Sequence, residues 1–262
     1  MMLSKEEIKR YCKQILLPHV GIKGQQKLSE ASVLVIGSGG LGCPVLQYLS
    51  AAGVGSIGIV DFDIVDETNL QRQVLYSNND VGNLKAEVAA SKISELNPFI
   101  SVIAFTEKFN TSNAEAILSK FDIVVDCTDN FESRYLINDI CVIMNKPFVY
   151  GGIYKFEGQV SVFNYNNSAT YRCAFPESET SQNSADCNIV GVIGTLPGII
   201  GTYQANEVIK IILGINSVCS NKILLINTLS LAMNEIKISR NENNWGSFAK
   251  SIEQFRDKIY SY

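Results

Sequence analysis

The residue types that can do chemistry in this chain gather in its first half. Gly37-Ser38-Gly39-Gly40-Leu41-Gly42 follows the β-branched run Ser32 to Ile36 and precedes apolar residues at helical spacing, Leu41, Val45, Leu46, Leu49 and Ala52. In such a strand, turn and helix, the first two glycines of GxGxxG allow a tight turn and close backbone approach by a phosphate. The last lets helix and strand pack closely, and the helix N-terminus offers N–H groups to an anion. A second strand, Ser56 to Val60, delivers Asp61 at the separation where an acid accepts hydrogen bonds from a ribose hydroxyl. A polar stretch after it carries Asn69 and Arg72. Lys85 then falls in the first turn of a helical segment from Gly82 to Leu96, where a cation opposes the helix dipole and suits a phosphate instead. Asp129 follows a buried strand, Ile123 to Val125. Hydride transfer to a nicotinamide needs no cation pair beside the phosphates. Transfer chemistry on a triphosphate needs positive charge and usually a magnesium ligand, so this inventory favours ATP over NAD. No Walker-type lysine with serine or threonine follows the glycines, which excludes a P-loop.

The elements that must position these groups alternate between strand and helix. Ser4 and Glu7 have capping-box spacing, with Leu3 and Ile8 as a hydrophobic staple, so Arg10 rides on a short N-terminal helix. Pro18, Gly21 and Gly24 predict an irregular arm over Ile15 to Gly24. Strands are expected at 32–36, 56–60, 101–105, 123–125 and 148–150, the last stopped by Gly151-Gly152, with helices between them. From Glu157 the apolar period becomes two, which predicts antiparallel pairing. A polar loop over Asn164 to Asn188 holds Cys173 and Cys187, and loops of that length inside a domain are usually functional or disordered. A long apolar helix, Ile193 to Leu213, and two final strands, Ile223 to Ile226 and Asn234 to Ile238, complete the pattern. The last segment places Phe248, Ile252, Phe255 and Ile259 on one helical face. The fold class is α/β, a Rossmann-like, mainly parallel sheet with antiparallel C-terminal strands. A single domain is expected over 1–262: an N-terminal arm 3–30, a nucleotide-binding half 31–150, a second half 151–245 and a helical tail 246–262.

Composition narrows the class. Hydrophobic residues at 46% and charged residues at 18% fit a soluble globular protein, and no apolar run reaches the length of a membrane span. A formal charge of −4, without a dense basic stretch, argues against a nucleic-acid partner. The start of the chain has no charged n-region leading into an apolar core, so the cytoplasm is the expected location. Seven scattered cysteines without a CxxC read as reduced thiols rather than a disulfide framework. His19, the only histidine, is a poor basis for a metal site or a histidine-based triad.

Arg10-Tyr11-Cys12-Lys13-Gln14, GSGGLG at Gly37 to Gly42, DFDIVDETNLQRQ at Asp61 to Gln73, Lys85, DCTDNFESRYLIND at Asp126 to Asp139 and GVIGTLPGIIGTYQANEVIK at Gly191 to Lys210 resemble, in order, the signatures of the ThiF, MoeB and HesA family, bacterial relatives of ubiquitin-activating enzymes. The resemblance covers about residues 3 to 245. It implies ATP-dependent adenylation of the C-terminal glycine of a ubiquitin-like sulfur-carrier protein ending in Gly-Gly, in the molybdopterin or thiamine-thiazole pathway. It puts Gly40 beside the nucleotide, Asp61 on the ribose, Asn69, Arg72 and Lys85 on the phosphates, and Asp129 on magnesium. Gly37, Gly39, Gly42, Asp63, Gln73 and Asn130 stand in the same motifs as further nucleotide-binding positions. Arg10 would reach the phosphates from the partner subunit of a homodimer, and residues 151–245 would meet the carrier. The resemblance also implies that Cys187 stands where some relatives use a cysteine in sulfur or thioester chemistry.

Two departures bear on this reading. Many family members bind a structural zinc through two CxxC pairs, but here Thr170 replaces the partner of Cys173, and the second pair falls near Asn243 and Gly246. One thiolate cannot hold a tetrahedral zinc, so none is expected. Lys13 replaces an arginine common in the family, keeping charge but losing the planar fork. The competing readings are activation of a modified peptide or a tRNA base, a nucleotide-binding interaction protein without turnover, and an NAD-dependent dehydrogenase.

Overall fold

The computed structural model describes residues 2–176 and 191–241. Three short helices come first, α1 (Lys5–Arg10), α2 (Cys12–Ile15) and α3 (Gly21–Glu30). The capping box is present as expected, with the Ser4 hydroxyl accepting from the Glu7 N–H at 3.1 Å and the Glu7 carboxylate accepting from the Ser4 N–H at 2.8 Å. The arm is less irregular than its glycines predict, because α3 begins at Gly21 and runs through Gly24. A β-carbon on Gly24 would lie 2.9 Å from Leu213, so this glycine serves a close helix contact, and tertiary packing overrides its low helix propensity.

The remaining helices are α4 (Gly42–Ala52), α5 (Lys85–Leu96), α6 (Ala114–Leu118), α7 (Phe131–Ile143), α8 (Tyr171–Ala174) and α9 (Thr195–Leu213). The strands are β1 (Ser32–Ile36), β2 (Ser56–Val60), β3 (Ser101–Phe105), β4 (Ile123–Asp126), β5 (Phe148–Tyr154), β6 (Glu157–Phe163), β7 (Lys222–Asn227) and β8 (Ala232–Lys237). They form one eight-stranded sheet in the order β3-β2-β1-β4-β5-β6-β7-β8. Pairing is parallel from β3 to β5 and antiparallel from β5 to β8, the sheet the sequence predicts.

Both faces of the parallel half are covered, which explains why β1 and β4 are continuous apolar runs rather than alternating ones. Val33 and Val35 point into a core shared with α3, α4, α5 and α9. Leu34 and Ile36 point into the opposite core, with α6, α7 and α8. Each fully buried side chain of this size contributes about 1.5–3 kcal/mol. The expected end of β5 at Gly151-Gly152 is corrected: the strand continues to Tyr154 and pairs with β6 throughout. Gly151 is there for approach, since a β-carbon would lie 2.4 Å from the Gln204 side chain of α9. The expected loop after Asn164 contains α8, anchored by fully buried Tyr171 among Tyr135, Tyr150, Phe163 and Phe175. Cys187 and the predicted tail helix lie outside the described residues.

Candidate active site

Strand order reverses between β1 and β4, and the crevice beyond the carboxyl ends of those strands is where open α/β sheets place ligands. Two segments flank it. The glycine turn leaves β1, and Asp126-Cys127-Thr128-Asp129-Asn130 leaves β4. The turn is tight enough that a β-carbon on Gly42 would sit 2.1 Å from the Gly37 carbonyl oxygen. Gly37 itself has φ of +92°, and a side chain there would meet the Cys127 carbonyl oxygen at 2.6 Å. The last glycine therefore packs helix against turn, as its position in the motif implies. Gly39 is different: its missing β-carbon meets nothing closer than the Gln73 side-chain nitrogen at 3.4 Å.

Asp61 directly follows β2 and is buried. Its Oδ2 accepts from the Ser38 N–H at 2.7 Å and the Ser38 hydroxyl at 2.9 Å, and its Oδ1 accepts from the Asp63 N–H at 2.9 Å. The acid is thus fixed against the glycine turn. Lys85 opens α5 with its ammonium 3.0 Å from Asp63 Oδ2, and that side chain is 7% exposed. Asn69 closes a short 3₁₀ turn, Glu67–Asn69. Three residues on, Arg72 donates to the Thr68 carbonyl at 3.2 Å, and its Cγ lies 3.8 Å from the place of a β-carbon on Gly40. Gln73 is buried beneath the turn, and its Oε1 has no hydrogen bond from the described residues.

Asp129 is exposed, with Oδ1 3.4 Å from the Asn130 amide, and Asn130 caps α7 by accepting from the Ser133 N–H at 2.9 Å. An exposed carboxylate oxygen is a hard donor of the kind magnesium takes. Among the described residues no three His, Cys, Asp or Glu side chains form a ready-made metal cage. Magnesium is usually held by one or two carboxylates together with substrate phosphates, and a single exposed carboxylate such as Asp129 fits that donor set. Arg10 is not brought to this site within one chain. Its guanidinium donates to the Leu96 carbonyl at the far end of α5 from Lys85, a helix length of about 16 Å away.

Several residues that hold the site together do not stand out by type. Asp126 is fully buried at the end of β4, and its Oδ1 accepts from the Thr128 N–H at 2.9 Å and hydroxyl at 2.6 Å. Arg134 of α7 donates to the Thr128 carbonyl at 3.0 Å, and its Nε faces Asp126 Oδ2 at 3.7 Å without a hydrogen bond. Gln204 of α9 donates to the Asp126 carbonyl at 2.7 Å. The segment carrying Asp129 is therefore tied to β4, α7 and α9. Asp126 and Arg134 lie inside a motif already singled out, and Gln204 is a polar residue in an apolar helix, so each had a sequence signal.

Burial pushes the Asp126 carboxyl up to about 6, against the lowering pull of Arg134 and Thr128. In the unfolded chain it titrates near the ordinary value of about 3.9. Between these values the folded state holds the extra proton, so this group's contribution to stability falls as pH rises from about 4 to 6 and is constant above. Denaturant unfolding of wild type and Asp126→Asn over that range should show wild type losing about 3 kcal/mol relative to the variant. A pH-independent difference would contradict the shift.

Cys173 is the cysteine that the family resemblance would align with a zinc ligand. Its sulfur lies 3.3 Å from the Thr170 hydroxyl and accepts from the Asn241 N–H at 3.3 Å, while Arg240 donates to the Ser168 carbonyl at 3.2 Å. These hydrogen bonds join the chain near residue 241 to α8 and to the segment just before it.

A family model described as the ThiF family matches residues 11–246. The chain is 50% identical over 236 residues to a Porphyra purpurea protein named probable molybdopterin-synthase adenylyltransferase, covering 90% of this chain and 62% of that one. It is 44% identical over 246 residues to the sulfur carrier protein adenylyltransferase of Thermus thermophilus, covering 92% of this chain and 91% of that one. The chain thus spans less than two thirds of the first relative and nearly all of the second. Among solved structures, E. coli MccB with ATP matches with a TM-score of 0.75 at 26% identity, over 88% of this chain and 72% of that chain.

Proposed function

The chain belongs to the ThiF family, and from that premise we propose that it adenylates the C-terminal glycine carboxylate of a ubiquitin-like sulfur-carrier protein. The observation that carries the reading is the gathering of the glycine turn, Asp61, Arg72, Lys85 and Asp129 around one crevice at the carboxyl edge of a parallel sheet. The Porphyra purpurea relative's name points to molybdopterin synthase and the Thermus thermophilus relative's to a sulfur carrier protein, and the same chemistry would serve a thiazole pathway. The cytoplasm, where such carriers work, is the location this reading assigns.

The reaction explains the inventory. An oxygen of the carrier's carboxylate attacks the α-phosphorus of ATP, the bond to the bridging oxygen breaks, and pyrophosphate leaves with its electron pair. The nucleophile is already ionised, so no serine, histidine or cysteine has to be activated. Catalysis is positioning and charge neutralisation. Asp61, held by Ser38, takes the ribose. Asn69, Arg72 and Lys85 take the phosphates, Lys85 exchanging its partner Asp63 for them. The glycine turn, with Gln73 beneath it, and the α7 N-terminus at Asn130 present backbone or amide donors. Magnesium, which Asp129 would hold, supplies further positive charge on the phosphate oxygens when bound. Cys187 has no part in attack on phosphorus and would act only afterwards, in sulfur transfer.

Intact-mass spectrometry tests the reaction. A carrier ending in Gly-Gly, incubated with the protein and ATP, gains one adenylyl group, and the same carrier without its last glycine gains none. Unmodified carrier in both reactions would count against the proposal.

A homodimer completes the site, because Arg10 reaches no phosphate within its own chain. Light scattering at tens of micromolar is expected to give twice the chain mass, and a monomer would remove any role for Arg10 in trans. Metal analysis of purified protein is expected to find no stoichiometric zinc; one zinc per chain would mean that ligands other than the missing cysteines supply the site.

A further inference from the structure

Tyr76 follows the Arg72 loop and is 6% exposed. Its phenol oxygen lies 2.8 Å from Ser38 Oγ, 2.9 Å from the Ser38 carbonyl and 3.3 Å from the Lys85 carbonyl. The Ser38 hydroxyl spends its own proton on Asp61 Oδ2, so the phenol is the donor toward Ser38. From Asp61 the connection continues through the Asp63 N–H to its Oδ1. It returns through Asp63, whose carbonyl accepts from the Lys85 N–H at 2.9 Å and whose carboxylate pairs with the Lys85 ammonium.

The polar contacts therefore form a closed ring, Tyr76 to Ser38 to Asp61 to Asp63 to Lys85 and back to Tyr76. Two members of the ring bind opposite ends of the nucleotide in the reading above, Asp61 the ribose and Lys85 the phosphates. We infer that Tyr76 is a positioning residue for adenylation, whose hydroxyl locks the glycine turn and ribose acid in register with the first turn of α5 and so sets the spacing of the nucleotide's two anchors. The inference rests on the ATP reading.

A connected network of buried hydrogen bonds is stiffer than isolated contacts. Buried carbonyls left without a donor are costly. Tyr76→Phe keeps the aromatic ring and its packing but removes the one phenolic proton that Ser38 Oγ, the Ser38 carbonyl and the Lys85 carbonyl share. A purely packing role would be insensitive to that change in nucleotide affinity.

The test is carrier-dependent ATP–pyrophosphate exchange by wild type, Tyr76→Phe, Ser38→Ala and the double variant, with calorimetric titration of ATP and thermal unfolding alongside. Tyr76→Phe should raise the KM for ATP about tenfold, the size of one lost buried hydrogen bond, with the carrier KM unchanged. Ser38→Ala cuts the same ring one bond further on, so the double variant should be no worse than the more affected single. If Tyr76→Phe fails to fold, Ser38→Ala alone carries the test. A folded Tyr76→Phe or Ser38→Ala with the wild-type KM for ATP would overturn the inference while leaving adenylation standing, as would two single effects that multiply in the double variant. Wild type that neither binds ATP nor exchanges pyrophosphate would overturn both.

Discussion

Asp129→Ala and Arg72→Ala should each slow carrier-dependent adenylate formation by about two to three decades while the chain stays folded. In the proposed reading both side chains face the charge on the phosphates, and fixed partners of developing charge are worth about 2.7–4 kcal/mol each. Neither is part of the core. Asp129 is exposed and its neighbour Asn130 keeps the α7 cap, while the hydrogen bond of Arg72 to Thr68 is local to its own loop. The segment bearing Asp129 is held by Asp126, Arg134 and Gln204, so its backbone stays in place when the carboxylate is removed. Cys187→Ala should leave pyrophosphate exchange near wild type and lose activity only in sulfur transfer. Wild-type exchange by Asp129→Ala would remove that residue from the magnesium site. Loss of exchange by folded Cys187→Ala would put the cysteine in the adenylation step.

The second large effect is expected from a single methyl group. In Gly42→Ala the new carbon would stand 2.1 Å from the Gly37 carbonyl oxygen, a distance that no rotamer change relieves because a β-carbon is fixed by its own backbone and the oxygen is a backbone atom. Gly37 cannot retreat freely, since it is in a left-handed conformation with Cys127 behind it. Either α4 moves off the turn or the turn opens. The first separates Leu46 and Leu49 from a core in which both are fully buried, and overpacking of this kind costs about 1–3 kcal/mol. The second displaces Ser38 from Asp61. The expected result is a lower thermal midpoint together with loss of measurable ATP binding by calorimetry. Wild-type ATP affinity in Gly42→Ala would mean that the turn is not the phosphate cradle.

Much of this site was legible in the sequence because its parts are local. The glycine turn, Asp61 and Lys85 each follow a strand or open a helix, and local periodicity locates those elements. What the sequence concealed is long-range. Asp126 looks like one more acid in a polar motif, and only the fold buries it fully, 3.7 Å from Arg134. Ser38 reads as filler between glycines until β2 brings Asp61 beneath it. Tyr76 has no partner within its own segment for the phenol, which reaches Ser38 across 38 positions. Gly24 and Gly151 mislead for the same reason: glycine signals a break locally, yet both sit inside regular elements because Leu213 and Gln204 of α9 press against them. The side chain of Arg10 ends at Leu96, and its proposed destination belongs to a second copy of the chain, which no single-chain pattern reveals.

The most direct measurement is ATP–pyrophosphate exchange with a panel of small ubiquitin-like proteins ending in Gly-Gly, each compared with its version lacking the last glycine. The account predicts magnesium-dependent exchange that requires both ATP and an intact Gly-Gly carrier, with at least one molybdopterin-type or thiazole-type carrier supporting it. Exchange that proceeds without any carrier, or no exchange with any carrier by a protein that binds ATP, would contradict it.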